Sequence, residues 1–569
     1  MNQEIRSTEP RTTAQIKFSD GQVLEGPLNT RIEAFVKAGN FPQGPRPMAC
    51  LVNGQLRELT YHADRDLNVQ VLTLADSDGM RVYRRSLAFL LIAVAHELFP
   101  EAKIVVEYGL NFGALYCEVE GRPPFTEAEL KQIEARMREL VRADLPILKE
   151  RVPLAEAKAL FEGRGADDKM RLLKARRKPY LTIYTLDDYR DYMHGYMVPS
   201  TGYLQTFAVD PYSAGFVLRY PRTHIPDRLQ PHLEYPKLVQ VFDEHGDWMN
   251  KLGIRDVGAL NQVVTRSHLL ETVLVSEALQ EQRIAQIATL LASLHPRMRL
   301  VLISGPSSSG KTTFSKRLSI QLLAHGIQPI ALGLDDFLVR REDTPLDEEG
   351  DYDYESIKAQ DLSLFNNTLL GLLRGEAVTL PHYNFLTGQR EPGDTISISN
   401  EHIIIVEGIH GMNPELVPHI PAEAVFRIYV SALTQLNLDR HNRVATTDTR
   451  LLRRIIRDAS HRGYTAKETI SRWPKVRRGE YKWIFPYQEN ADVMFNSALV
   501  YELAVIKPMA EPLLLQIEPG KPEHVEAKRL LSFLQWFEPC SPDLVPDNSL
   551  LREFIGGSNL RTYRPIFNK

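Results

Sequence analysis

The chain has 569 residues, 43% apolar and 25% charged, proportions that exclude a disordered or fibrous protein and suggest roughly four domains. Lys and Arg number 68 against 72 Asp and Glu, a net charge of −4, which excludes a bulk nucleic-acid binder while leaving room for a local basic face.

Residues 1–11 read as a loose tail; the opening MNQEIRSTEPRTTAQ is polar and mixed in charge, so no secretory signal is expected. From 12 to 75 the pattern is strand-like. Asp20-Gly21 and Asn53-Gly54 are two-residue connections between alternating runs, the signature of tight hairpins. Between them, residues 30–38 read as a short helix behind a Thr30 cap. Two hairpins around one helix suggest a small β-grasp domain. Residues 76–250 form an α+β region, with helical spacing over 85–98 and a second helix opened by Thr126 as N-cap ahead of Glu127 and Glu129. Residues 251–298 read as a helical connector closed by Pro296.

From 299 to 569 the texture changes. Short β-branched runs at 300–304, 329–334, 402–406, 424–430 and 492–496 alternate with helical patterns, which implies a parallel sheet wrapped by helices. The longest apolar stretch, near residues 86–95, is too short for a bilayer span, so no membrane segment is expected. Cys50, Cys117 and Cys540 lie far apart and cannot build a disulfide framework or a cysteine-rich zinc site. Together these features point to a soluble, reduced, cytoplasmic protein.

The strongest motif is Gly305, Pro306, Ser307, Ser308, Ser309, Gly310, Lys311, Thr312, followed by Thr313. It fits GxxxxGK[ST] and lies between an apolar strand and a helix. Glycines let the backbone curl so that successive N–H groups face a phosphate, and the helix N-terminus adds a favourable dipole. Lys311 should reach the β- and γ-phosphates of ATP, and the Thr312 hydroxyl should ligate Mg²⁺. Asp335 and Asp336 follow the strand 330–334, at the edge where α/β sheets bind ligands; one of them could take a proton from a substrate hydroxyl or hold Mg²⁺ through water, the competing reading being a capping or turn pair. Glu407 follows the apolar run 402–406 and reads as the acidic Mg²⁺ group. Residues 448–482 carry eleven Lys and Arg against four acids, a net of +7. Arg450, Arg453, Arg454 and Arg457 are spaced i, i+3, i+4, i+7 on one helical face, where a lid could present them to phosphates. A solvated helix face and a nucleic-acid patch are the competing readings.

On GPSSSGKTT, LDDFLVRRE, YDYESIKAQD, LPHYNFLTGQR, VEGIHG and DTRLLRRIIRDASHRG, residues 300–497 resemble the uridine kinase and phosphoribulokinase family of P-loop kinases. The resemblance implies that Asp335 is the catalytic base, that Glu407 with Thr312 holds Mg²⁺, and that Arg450, Arg453 and Arg457 are lid arginines. It implies further that Tyr383 stacks near the nucleobase, that Glu355 meets the ribose, and that Arg390 belongs to the substrate site. Gly388 stands where uridine kinases place a base-contacting His, which leaves sugar or sugar-phosphate acceptors open beside a pyrimidine nucleoside.

The front half resembles threonyl-tRNA synthetase, its TGS domain followed by its editing domain, on LVNGQLREL, RRSLAFLLIAVAHELFP, PFTEAELKQIEARMREL and DYMHGYMVPSTGYLQTF. The editing-site ligands of that family fall on Arg85, Phe89, Met193 and Met197, none of which can hold a metal or act as a base near neutral pH. His96 and His194 read as surface or capping groups. The resemblance therefore implies a non-catalytic scaffold or binding module, with RNA contact through the front half; an RNA-linked ATPase switch is the alternative to a kinase, and a homo-oligomer is expected separately.

Overall fold

A computed structural model describes residues 9–41, 44–266 and 268–563; the first eight residues of the expected tail lie outside them. The chain divides into two compact units. One comprises Met1–Leu233, Asn437–Arg443 and Glu518–Arg529, the other Glu234–Leu436, Val444–Ile517 and Leu530–Lys569.

The first unit opens with a five-stranded mixed sheet, in the order Val23–Pro27, Thr13–Phe18, Leu67–Thr73, Pro47–Val52, Gln55–Arg57. Its central pair runs parallel, with Ile16 opposite Leu67 and Phe18 opposite Val69. Both expected hairpins form. At the second, Asn53 and Gly54 both have positive φ (48° and 73°), which a type I′ turn requires. The helix runs Ile32–Ala38 and buries Ile32, Phe35 and Val36 against the sheet. Its cap is not the expected Thr30: that residue pairs with Ala63 in a short ladder, and Arg31 occupies the N-cap with no side-chain bond.

The rest of the first unit packs the helix Ser77–Leu98 and a four-stranded antiparallel sheet into one core, with Phe89, Leu90, Ile104, Cys117 and Phe216 inside. The helix Glu127–Ala143 carries the capping box read from sequence: the Glu129 N–H donates to Thr126 Oγ1 while the Thr126 N–H donates to Glu129 Oε2 at 2.7 Å. A buried ionic cluster ties Asn437–Arg443 into this unit. Lys169 Nζ lies 3.1 Å from Asp191 and 3.3 Å from Asp439, and Arg440 pairs with Asp168 at 2.6 Å.

The second unit is built on five parallel strands: β1 (Leu300–Ser304), β2 (Gln328–Gly333), β5 (His402–Glu407), β6 (Val425–Ser431) and β7 (Val493–Asn496). Their order across the sheet is β2-β5-β1-β6-β7. The expected strands are therefore present within a residue or so. β1 is fully buried because helices cover both faces of a parallel sheet. Helix α1 (Lys311–Ala324) packs Phe314, Leu318 and Leu322 onto β1 and onto the long helix Leu269–Leu294. On the other face, α2 (Leu362–Leu373) packs Phe365, Leu369 and Leu372. The motif LPHYNFLTGQR, given no secondary structure from sequence, lies in an antiparallel hairpin of β3 (Val378–Asn384) and β4 (Gln389–Ile396). Helices α3 (Thr446–His461) and α4 (Ala466–Trp483) carry the arginine-rich segment, and α5 (Glu502–Leu515) follows β7. Among the described residues no helix is long and apolar enough to cross a membrane.

Candidate active site

The site lies where the C-terminal ends of β1, β2 and β5 meet the loops that follow them, the usual ligand edge of such a sheet. Residues 305–310 turn from β1 into α1. Gly305 has φ +152°, and a β-carbon there would come within 1.9 Å of the Val430 carbonyl oxygen; Ser308 (φ +59°) and Gly310 (φ +86°) complete the curl. Gly310 is the N-cap of α1 and has no side chain to satisfy the helix's free N–H groups. The hydroxyls of Ser308 and Ser309 are buried without a hydrogen-bond partner. Unpaired donors at a helix N-terminus suit phosphate oxygens.

Lys311 is buried beside this loop and donates to the Pro306 carbonyl at 3.2 Å. Burial pulls its amine below the ordinary lysine range, while Glu407, Glu553 and Asp335 hold its charge against that loss. Thr312 Oγ1 donates to Glu407 Oε1 at 2.9 Å, so the two residues assigned to Mg²⁺ from sequence touch each other. Burial raises Glu407 to about 7, opposed first by Lys311. A hard divalent cation arriving with phosphate would relieve that cost, and a hydroxyl with a carboxylate is the oxygen donor set Mg²⁺ takes.

The aspartate pair divides cleanly. Asp336 accepts from the Tyr383 N–H at 3.2 Å and lies 3.1 Å from His382 Nδ1, which anchors β3. Asp335 makes no side-chain hydrogen bond among the described residues. Asp335 is exposed to solvent, yet the surrounding protein raises its carboxyl above the usual range, with Lys311 opposing. A free carboxylate of raised basicity is what proton abstraction from a hydroxyl needs.

The expected acceptor residues spread out. Glu355 stands close to Asp335 and Lys311 electrostatically, and burial followed by repulsion from Glu480 raises it to about 7. It lies against Gly479 of α4, where a β-carbon would approach Glu355 Cβ to 2.4 Å; only glycine permits that contact. Tyr383 is buried with Leu338 and Ala359. Arg390 faces Tyr383 across the hairpin, but its NH1 donates to Asp361 at 2.8 Å, an acid that also caps α2. Gly388 has φ +73° and is covered by Arg341, whose Nε would lie 2.9 Å from a β-carbon there.

Of the lid arginines, Arg450 and Arg453 are wholly buried, which removes the solvated-face reading. Arg450 Nε donates to the Ser307 carbonyl at 2.9 Å, and its guanidinium pairs with Glu480. Burial works against that acid's charge, yet Arg450 and Arg477 hold Glu480 below the usual carboxylate range. Arg453 turns away, pairing with Glu502 and donating to the Ser497 carbonyl at 2.9 Å. Arg457 pairs with its neighbour Asp458 at 3.2 Å. Arg454, on the arginine face by its spacing but not among the lid arginines that the resemblance implies, donates to Ser307 Oγ at 2.7 Å. Its spacing on the same helical face was the available signal. Ser497, whose hydroxyl donates to the Ser309 carbonyl, and Glu553 also escaped the sequence reading.

In the first unit, Phe89, Met193 and Met197 are buried in the core and Arg85 NH1 donates to the Tyr196 carbonyl at 2.7 Å. His194 Nδ1 lies 2.9 Å from the Tyr192 hydroxyl, and His96 is exposed beside the Tyr189 ring.

Residues 300–504 match the Phosphoribulokinase / Uridine kinase family. The N-terminal half is similar to threonine–tRNA ligases. That of Symbiobacterium thermophilum is 32% identical over 197 residues, 34% of this chain and 30% of the ligase. That of Acidithiobacillus ferrooxidans is 37% identical over 162 residues, 28% of this chain and 25% of the ligase. The chain thus spans under a third of the length of these relatives. Among solved structures, a possible uridine kinase from Bacillus stearothermophilus is 22% identical, covering 38% of this chain and 98% of its own, with a TM-score of 0.27.

Proposed function

We propose that the second unit transfers a phosphoryl group from ATP to a hydroxyl of a small molecule, with the 5′-hydroxyl of a pyrimidine nucleoside as the leading acceptor. The observation that carries this reading is the Thr312–Glu407 contact beside Lys311, with the Asp335 carboxylate, unpartnered among the described residues, close enough to interact with that lysine. Phosphoryl transfer asks little covalent chemistry of a protein; it asks for positioning and for charge stabilisation. The 305–313 loop would hold the phosphates, and Lys311 would draw the β- and γ-oxygens. Thr312 and Glu407 would hold Mg²⁺, whose chemistry when bound would be to offset the charge that develops on the transferring phosphoryl group. Asp335 would orient the acceptor hydroxyl and accept its proton. Arg450 and Arg454, both bonded to Ser307, would brace the loop from the α3 side, and Arg457 would be free to swing inward by leaving Asp458.

A second acceptor class is favoured by one observation. Arg341 covers the turn at Gly388 and has no carboxylate partner among the described residues; its NH2 donates only to the Phe385 carbonyl, at 2.7 Å. A cation at that turn suits a sugar phosphate better than an uncharged base. The deciding experiment is transfer from Mg·ATP across a panel of nucleosides, free sugars and sugar phosphates, with Lys311→Ala as blank. Turnover on pyrimidine nucleosides supports the leading reading, turnover on sugar phosphates the second, and ATP hydrolysis without any acceptor contradicts both.

Thr312→Val tests the metal assignment separately. It is expected to raise the Mg²⁺ concentration for half-maximal activity by about tenfold or more, since one direct oxygen ligand is lost. An unchanged Mg²⁺ titration would remove Thr312 from the metal site.

For the first unit we propose a binding module without hydrolytic chemistry, because apolar side chains and a committed guanidinium fill the positions an editing site would use. RNA is the partner its resemblance suggests; binding to bulk tRNA that weakens steeply with salt would support that reading.

A further inference from the structure

The segment 549–556 of the second unit has no part in the scheme above. It nevertheless places a carboxylate on the nucleotide loop. Thr313 donates twice to Glu553 Oε2, from its backbone N–H at 3.2 Å and from its hydroxyl at 3.0 Å. Thr313 is the third residue of α1, so its N–H is one of the free donors that the glycine N-cap leaves unsatisfied. In a loop of this kind those donors are the cradle of the nucleotide's α- and β-phosphates. Glu553 therefore fills, with an anion of the protein's own, a seat that a bound nucleotide needs. The same carboxylate is near enough to favour the charged form of Lys311 and to disfavour that of Glu407.

We propose that Glu553 is an affinity-setting residue of the nucleotide site: an internal anion that phosphate must displace from Thr313 before it can seat. This rests on the reading of residues 305–313 as a nucleotide loop. Its backbone does not have to move for the exchange. Leu550, Leu551 and Phe554 are fully buried, and Phe554 lies under the Arg453 guanidinium at 4.9 Å. Lys316 Nζ fixes the next stretch by donating to the Leu560 and Arg561 carbonyls at 2.7 and 3.0 Å. With the flanks held, rotation of one glutamate side chain empties the seat. The consequence is a nucleotide site weaker than its loop alone would make it, and tuned by a residue about 240 positions away in the chain.

The test is the dissociation constant of Mg·ADP, measured by calorimetry on the full chain, with adenosine as the phosphate-free control. Glu553→Gln keeps the size and an acceptor oxygen for Thr313 but removes the charge. It is expected to tighten Mg·ADP about tenfold or more, as one like charge near the phosphates is lost, and to leave adenosine unchanged. Glu553→Asp, which keeps the charge but withdraws it, is expected to tighten ADP by a smaller factor and serves if the Gln variant does not fold. ADP affinity that is unchanged or weaker in a folded variant overturns the proposal and identifies Glu553 as a helix cap only. Lack of any ADP binding sensitive to Lys311→Ala, in wild type and variants alike, overturns the nucleotide-site reading itself and this proposal with it.

Discussion

Asp335→Asn is expected to lower turnover by roughly 10²–10⁴, the contribution of a positioned general base, while Mg·ATP affinity stays within about twofold of wild type. The two carboxylates after β2 look alike in sequence, but they are not equivalent in their bonding. Asp336 is spent on the Tyr383 N–H and on His382, so its loss would loosen the hairpin β3–β4 and with it the acceptor wall. Asp335 makes no such bond among the described residues, and the protein around it raises its carboxyl above the usual carboxylate range, against the pull of Lys311. Steady-state kinetics on whichever acceptor the panel identifies separate the two. Asp335→Asn should fall in kcat with KM for ATP little changed, whereas Asp336→Asn should act mainly on KM for the acceptor. Near-normal kcat in Asp335→Asn would end its assignment as base.

The parts of this site that sequence made legible are those whose chemistry is local. The loop 305–313 announces itself because its glycines answer a backbone requirement and its Lys and Thr follow at fixed distance. The five parallel strands were readable as apolar runs, since helices bury both their faces. The hairpin β3–β4 was not, because Pro381, Gly388, Pro392 and Gly393 interrupt any alternation that would mark strands. Thr30 failed as a cap for a different reason: a two-residue ladder with Ala63 claimed its backbone first. What sequence could not supply at all were partners far along the chain. Nothing near Arg450 or Arg453 names Glu480 or Glu502 as their acids, and nothing near Thr313 names Glu553. The segment Asn437–Arg443, inside what reads as one continuous kinase stretch, joins the other unit through Asp439 and Arg440. Helical periodicity aligned the arginines on one face but gave no means of dividing loop braces from structural ion pairs.

That division yields the second large effect. Arg453 is fully buried, its guanidinium bonded to Glu502 and to Ser497, whose own hydroxyl holds the Ser309 carbonyl of the nucleotide loop. Even so, burial leaves Glu502 above the usual carboxylate range, with Arg453 the main force opposing that rise. Arg453→Ala would strand Glu502 without its cation in a site closed to water. The expected cost is about 3–5 kcal/mol of unfolding free energy, the usual consequence of removing one member of a buried pair. Chemical denaturation of the second unit's transition measures it. A lid arginine that meets phosphate only in the transition state predicts the reverse pattern: stability nearly unchanged and kcat reduced. Arg453→Ala combined with Glu502→Leu sharpens the distinction, because removing both charges should recover much of the lost stability. Recovery of stability together with turnover would establish Arg453 as a brace for the loop rather than a lid arginine. Recovery of stability without turnover would return it to the chemistry.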